Sequence, residues 1–156
     1  MTVNLQEEIK QTKPFGSLQE ELWLNLSRTT AQVGHVIEQR LRSYGLSPTQ
    51  YNVLRILRGA GPSGLSCGEV AERMLTRDPD ITRLLDRLER RGLVVRARAS
   101  ADRRVITVRI TPEGLRILAK LDKPVAECHR RQLGHLGQRP LKRLIELLNS
   151  TRVTSR

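Results

Sequence analysis

Residues 81–98 of this chain read ITRLLDRLERRGLVVRAR, and the fold prediction starts from this stretch. In its first half, apolar residues recur three or four positions apart, which is the spacing of one face of an α-helix. They are Ile81, Leu84, Leu85 and Leu88. Gly92 ends this helix, and the β-branched residues from Val94 onward indicate a strand. The stretch therefore predicts a helix that is followed directly by a β-strand.

A second strand is predicted at residues 103–110, which are also rich in β-branched residues. Ile106, Val108 and Ile110 point to one side of this strand, and the small polar turn 99–102 separates it from the first strand. These features are typical of a two-stranded hairpin with one buried face.

Helix-start signals occur upstream of this stretch. Ser17-Leu18-Gln19-Glu20 has the capping-box form and opens a long first helix that ends near residue 43. A second signal at 47–50 has Pro at the first helical position. We expect a helix after each of them.

A third start signal at 66–69 opens a short helix, and after a turn Asp78-Pro79 opens the helix quoted above, which we place at residues 78–91. A short helix, a turn and a second helix form the helix-turn-helix arrangement. The second helix of this arrangement enters the major groove of DNA.

The order of elements predicts a mainly α (α+β) fold. A winged helix-turn-helix lobe occupies residues 46–111, helices lie at 17–45 and 112–150, and residues 1–16 are a loose N-terminal arm. Pro124 is expected to kink the helix in which it lies without ending it.

The flanking helices carry more apolar surface than such a lobe buries, so we interpret them as dimerisation helices in a symmetric homodimer. The candidates for the intersubunit core are Trp23, Leu26, Leu144, Ile145 and Leu148. The alternative is that these side chains pack within one chain.

The composition favours a polyanionic partner. The chain has 156 residues, 28% of them charged and only 3% aromatic, and its formal net charge is +12. Because such an excess attracts polyanions, nucleic acid is the leading candidate partner and a membrane surface the second. The helix-turn-helix arrangement indicates that this nucleic acid is double-stranded DNA. A basic protein without such a partner is the plain alternative.

The predicted recognition helix has polar side chains away from its apolar face. They include Asp80, Arg83 and Arg87, with Thr82 at the edge. Thr76 and Arg77 precede the helix N-terminus, where free N–H groups favour a phosphate. These residues are the candidate major-groove contacts, and an ordinary solvated helix face with i, i+4 pairs is the alternative.

The hairpin is also cationic, since Arg96, Arg98, Arg103 and Arg104 flank its small-residue turn. A thin projection of this kind fits the minor groove, whose negative potential attracts Arg. Asp102 is interpreted as an internal partner that orients one of these arginines. The alternative is an ordinary solvated hairpin.

Three motifs in this region resemble the core signature of the MarR family. They are Leu84 to Val94 (LLDRLERRGLV), Asp102-Arg103-Arg104, and Ile110 to Gly114 (ITPEG). The resemblance spans roughly residues 18–150. It implies a homodimer whose two winged lobes straddle a pseudo-palindromic site, recognition by residues 78–91, and minor-groove contact from the wing around Ser100 to Arg104. The acidic segment 76–80 departs from the neutral residues that many members carry there.

Many members of the family are released from DNA by a small molecule, often an aromatic acid. The resemblance implies an effector site between the dimerisation helices and the lobe. The candidate effector-binding residues are His35, Tyr44, Tyr51 and Arg55. Each of these side chains has an alternative role in the core or on the surface.

The sequence offers little for other chemistries. It has no Gly-rich phosphate loop, no metal cluster and no G-x-S-x-G, so we expect no enzyme activity, no cofactor and no metal. Cys128-His129 and His135 lack the four-ligand spacing of structural zinc. Cys67 is read as a small buried side chain, and a reactive thiol is its alternative.

No apolar run approaches the roughly 20 residues that a membrane span needs, and two cysteines make no disulfide framework. We therefore expect a cytoplasmic protein. The resulting prediction is a homodimeric, sequence-specific repressor, and the alternative is a nucleoid-type protein that binds DNA through charge alone.

Overall fold

The structure is a computed structural model, and it describes residues 4–77, 80–98 and 106–153. The elements of these residues, in chain order, are α1 (Leu5–Glu8), α2 (Leu18–Arg42), α3 (Pro48–Ala60), β1 (Leu65–Ser66), α4 (Cys67–Arg73), α5 (Ile81–Arg90), β2 (Val94–Arg98), β3 (Ile106–Ile110), α6 (Pro112–Leu133) and α7 (Gln138–Thr151). Short 3-10 turns at Gly61–Ser63 and Gly134–Leu136 precede β1 and α7. This order confirms the predicted winged helix-turn-helix fold class.

The helices α2, α3 and α4 begin at the predicted capping residues because side chains there satisfy free backbone N–H groups. The Ser66 hydroxyl accepts the Glu69 N–H, and the Glu69 carboxylate accepts the Ser66 N–H at 2.8 Å. Ser47 and Gln50 form the same reciprocal pair at α3. At α2 the Ser17 hydroxyl caps Glu20 as predicted, whereas the Glu20 carboxylate accepts the Gly16 N–H at 2.7 Å.

The start of α5 differs from the prediction. The helix begins at Ile81 rather than at residue 78, and Asp80 is its N-cap, with a carboxylate oxygen that accepts the Arg83 N–H at 3.1 Å. Asp78 and Pro79 lie outside the described residues. A capping carboxylate at position 80 places the first helical residue at 81, since the cap itself has non-helical dihedral angles.

The described residues fall into two compact units that divide at Val36 and Ile37, inside α2. In the first unit, within the segment that the sequence predicts as a loose arm, Leu5–Glu8 form a helical turn and Leu5 is buried. The Glu8 carboxylate accepts hydrogen bonds from Arg28 and Gln32 of α2, both at 2.8 Å. The hydrogen bond from Arg28 lowers the pKa of Glu8.

The second unit contains the sheet, which has three antiparallel strands in the order β1-β3-β2. The predicted pairing of β2 with β3 is present, with Val94 opposite Ile110 and Arg98 opposite Ile106. β1 was not predicted, since two residues are too few to show an alternating pattern. Gly64, just before it, has φ +70°, and a Cβ there would lie 2.4 Å from the carbonyl oxygen of Val108.

A single apolar core fills the second unit. Its fully buried side chains come from the helices α2 to α6 and from the sheet. They include Leu41, Leu54, Leu57, Val70, Leu85, Leu88, Val108 and Leu118. α6 continues through Pro124 to Leu133, as predicted. This core holds α5 and the β2–β3 pair on one scaffold.

α6 is tied to the end of α5 by Thr111. Its hydroxyl donates to the Gly92 carbonyl at 2.6 Å and accepts the Gly114 N–H at 3.1 Å. A Cβ at Gly114 would lie 2.5 Å from the Leu93 carbonyl oxygen, so this contact requires glycine. None of the helices in the described ranges is long and apolar enough to span a bilayer.

Candidate nucleic-acid interface

α5 has three flanks with different partners. Its apolar flank packs into the core through Leu84, Leu85 and Leu88. A second set of side chains, spaced i, i+4 and i+7, lies on what we call the cationic flank: Arg83, Arg87 and Arg90. A third set with the same spacing lies on what we call the wing flank: Thr82, Asp86 and Glu89. Residues at these spacings share one side of a helix.

The cationic flank is exposed to solvent. Arg83 and Arg87 are both exposed, with 78% of the Arg83 side chain accessible. The Nε of Arg83 lies 3.0 Å from a carboxylate oxygen of Asp80, so the N-cap also holds this guanidinium. Arg90 donates to the carbonyl oxygen of Asp86 at 3.4 Å. The predicted set Asp80, Arg83 and Arg87 therefore lies at one end and along one side of α5.

The wing flank binds Arg96 of β2. One guanidinium nitrogen, Nη1, donates to Asp86 at 2.5 Å and to Glu89 at 3.2 Å, and Nη2 donates to the carbonyl oxygen of Thr82 at 3.2 Å. The backbone N–H of Arg96 donates to the other Glu89 oxygen at 3.0 Å. The sequence reading of Arg96 as part of a cationic projection is therefore wrong, because its side chain is committed inside the lobe.

The electrostatics of this cluster keep Arg96 charged. Burial alone would lower the pKa of Arg96, but the hydrogen bond to Asp86 and the charges of Asp86 and Glu89 raise it above its ordinary value. Two carboxylates from α5 thus balance one half-buried guanidinium from the sheet.

The turn between α4 and α5 carries two predicted contacts. Thr76 and Arg77 are both exposed there. The preceding residue, Leu75, donates its N–H to the side-chain oxygen of Asn52 at 2.8 Å. Asn52 is buried in α3 and was not singled out in the sequence, although a lone Asn among the apolar residues 51–54 was a signal for such a role.

The wing is described only at its base. Arg98 is exposed at the end of β2, opposite Ile106 of β3. The predicted minor-groove residues Ser100, Asp102, Arg103 and Arg104 lie outside the described residues. Exposed arginines of the predicted interface are thus described at three places: Arg77 in the turn before α5, the cationic flank of α5, and Arg98 at the base of the wing.

The candidate effector-binding residues differ in how far they are buried. Tyr44 and Tyr51 are half-buried against the core, and burial raises the pKa of Tyr51. The Arg55 guanidinium lies 5.8 Å from the centre of the Tyr51 ring. His35 is exposed on the part of α2 that belongs to the first unit.

The cysteines and histidines form no metal site within the described residues. Cys128 is buried and Cys67 is half-buried.

Large apolar side chains are exposed on both predicted dimerisation segments. In the first unit Trp23 is 65% exposed, and on α7 Leu144 and Ile145 are 44% and 56% exposed. Leu26 and Leu148 are half-buried. Packing within one chain therefore leaves much of this surface in contact with water.

Comparison with known proteins places these features in a family. The sequence profile of the MarR family matches residues 44–105, which run from the end of α2 to the wing. The crystal structure of a MarR transcription factor from Planctomyces limnophilus is 44% identical and has a TM-score of 0.67, with 87% of this chain and 98% of that chain covered. This chain belongs to the MarR family.

Two other MarR-type relatives are regulators by name. The transcriptional repressor CouR of Rhodococcus jostii, solved on a 23-mer DNA duplex, is 30% identical over 90% of this chain and 98% of its own, with a TM-score of 0.74. MhqR, an HTH-type transcriptional regulator of Bacillus subtilis, is 30% identical over 63% of this chain and 66% of its own length. The match spans 58% to 66% of the first three curated relatives, so it covers less than two thirds of each.

Proposed function

We propose that this MarR protein is a sequence-specific DNA-binding transcriptional regulator, acting as a homodimeric repressor on a pseudo-palindromic operator in the cytoplasm. The observation that carries the proposal is the exposed cationic flank of α5, in a lobe whose relative CouR has been solved on DNA.

The proposed docking follows from the shape of the lobe. α5 lies in the major groove with Arg83 and Arg87 toward the bases and phosphates, since the groove admits one α-helix and Arg pairs with guanine. Thr76, Arg77 and Thr82 approach the adjacent phosphates. Asp80 acts through Arg83, which it holds. On the wing side, Arg98 and the proposed tip contacts Ser100, Asp102, Arg103 and Arg104 reach the minor groove.

The proposed dimer would bury the apolar side chains that are exposed on the predicted dimerisation segments. Isolated apolar side chains on a surface are ordinary, but several on two helices mark an association surface. A two-fold dimer presents two α5 helices to two half-sites, which matches a palindromic operator.

The proposed effector is a small aromatic acid. CouR, 28% identical in a second structure, has been solved with p-coumaroyl-CoA. In this chain the exposed Arg55 beside the Tyr51 ring offers a cation and an aromatic face, which suit a carboxylate on an aromatic ring. Tyr44, half-buried against the same core, completes the proposed set within this unit.

The test of the proposal begins with selection of a duplex from a randomised pool by the wild-type protein. Affinity for the selected duplex and for its scrambled version is then measured at several salt concentrations, with Arg87→Ala as the interface variant and Arg139→Ala on α7 as the matched charge control. We expect the wild type to prefer the selected duplex by about 10³-fold or more. Arg87→Ala should lower affinity and reduce the salt dependence by about one unit of slope per chain, and Arg139→Ala should change neither.

A specificity ratio near one for the wild type contradicts the proposal and supports the nucleoid-type alternative. Equal effects of Arg87→Ala and Arg139→Ala show that net charge alone matters and that α5 is not the interface. Sedimentation of the free protein and its complex gives the number of chains.

A further inference from the structure

We infer that Arg96 is a positioning residue that holds the wing and α5 in one mutual orientation, and that this orientation contributes to sequence discrimination without contact between Arg96 and DNA. The inference rests on the proposed function, because it concerns how two proposed DNA-contacting elements are held together. It concerns a side chain that the sequence alone assigned to the cationic surface.

The bonds of Arg96 reach across two turns of α5. Thr82 and Glu89 are seven residues apart, which is about 10 Å along a helix axis. The guanidinium contacts both, with Asp86 between them, and the Arg96 backbone N–H adds a further bond to Glu89. Contacts at several heights on one helix oppose sliding and rotation of β2 against α5, which a single ion pair would permit.

Arg96 is also poorly placed to bind DNA itself. Its side chain is only 22% exposed, and both of its terminal nitrogens already donate to α5. Arg98 lies two residues farther along the same strand and on the same face, and it is exposed. Contact of Arg96 with a phosphate would require the loss of bonds to Asp86, Glu89 and Thr82.

The orientation matters because α5 and the wing are proposed to occupy different grooves at the same time. The backbone between α5 and β2 consists of only three residues, 91–93, and Gly92 among them has φ +68°. A wing that is held in place binds both grooves without a further loss of conformational entropy. A complex that depends on phosphate charge alone tolerates many wing orientations, so only the specific complex depends on the cluster.

The experiment uses the full-length protein with the selected and scrambled duplexes described above. The variants are Arg96→Lys, which keeps the charge but not the forked geometry, Arg96→Ala, and Asp86→Asn, with Arg98→Ala as the control for direct contact. We expect each change at positions 96 and 86 to weaken binding of the selected duplex by about tenfold and of the scrambled duplex by less than about twofold. The slope of log affinity against log salt should stay at the wild-type value for these variants, whereas Arg98→Ala should reduce it by about one per chain.

A loss of protein stability by itself lowers the fraction of active protein. It therefore weakens binding of both duplexes equally and leaves the ratio of the two affinities unchanged. The double variant Arg96→Ala/Asp86→Asn should bind the selected duplex as tightly as Arg96→Ala alone does, since both substitutions disrupt the same cluster. If Arg96→Ala does not fold, Arg96→Lys and Asp86→Asn give the same readouts.

A reduced salt slope for the Arg96 variants, equal to that of Arg98→Ala, overturns the inference in favour of direct phosphate contact. An unchanged ratio of the two affinities overturns it in favour of a purely structural role. Failure of the proposed function is distinct, since in that case the wild type itself does not distinguish the two duplexes.

Discussion

Asp80 caps α5 and holds the guanidinium of Arg83, and two substitutions at this position separate these roles. Asp80→Asn keeps a side-chain oxygen that accepts the Arg83 N–H, since Asn and Asp cap helices about equally well. It removes the negative charge that lies 3.0 Å from the Nε of Arg83. Asp80→Ala removes both the charge and the cap.

The effect on stability follows from exposure. The Arg83 and Asp80 side chains are 78% and 46% exposed. An exposed pair contributes at most about 1 kcal/mol, and an anion at a helix N-terminus contributes about 0.3–1 kcal/mol. We expect Asp80→Asn to lower the free energy of unfolding by about 1 kcal/mol and Asp80→Ala by about 1 kcal/mol more. Urea denaturation followed by circular dichroism measures both.

The effect on DNA binding has the opposite sign. A carboxylate about 7 Å from a phosphate in water repels it by about 0.6 kcal/mol, so its removal raises affinity about threefold per site. We therefore expect Asp80→Asn to bind the scrambled duplex about threefold more tightly per site in low salt, as measured by fluorescence anisotropy. Glu146→Gln on α7 makes the same change in net charge and should have little effect.

One result would refute this reasoning about Asp80. If Asp80→Asn weakens binding of the selected duplex while binding of the scrambled duplex is unchanged, the carboxylate reads a base directly as a hydrogen-bond acceptor. Its assignment as a cap and as the partner of Arg83 would then not describe the complex.

Three further predictions concern other parts of the chain. Ile145 is 56% exposed, so its burial in a dimer contributes about 1 kcal/mol per chain. Ile145→Glu should therefore raise the dimer dissociation constant at least about 30-fold in sedimentation experiments, and a change under about threefold excludes this face of α7 from the dimer. Asn52→Ala should lower the free energy of unfolding by about 1–3 kcal/mol and speed hydrogen exchange at the Leu75 amide; an unchanged exchange rate contradicts the role of Asn52 in the turn. Hydrogen bonds from the Ser66 backbone and hydroxyl lower the pKa of Glu69 below its ordinary 4.5, so their contribution to stability is complete above that pH and is lost as the pH falls through the lowered value. Glu69→Gln should flatten the dependence of the unfolding midpoint on pH in this acidic range, and identical profiles refute the assignment.

The local features of the fold follow from the sequence alone. Ser47, Ser66 and Thr111 were recognised as helix starts because capping joins atoms within about four residues, and the surrounding chain has little influence on it. The apolar spacing of α5 and the β-branched runs of β2 and β3 are equally local. The three motifs on α5, in the wing and at the start of α6 were sufficient to suggest the MarR family, and the exposed position of Arg87 follows from helical periodicity.

Tertiary structure decided which charged side chains are free to meet a partner. Arg96 and Arg98 are both arginines on the same face of β2, so no local sequence pattern distinguishes them. Arg96 lies opposite Asp86 and Glu89 of α5, whereas Arg98 lies beyond them and is exposed. The hydrogen bond from Leu75 to Asn52 likewise joins residues 23 positions apart, and the pairing of β1 with β3 joins residues about 40 apart. Such contacts depend on how the helices and strands pack around the core, which short-range periodicity does not encode.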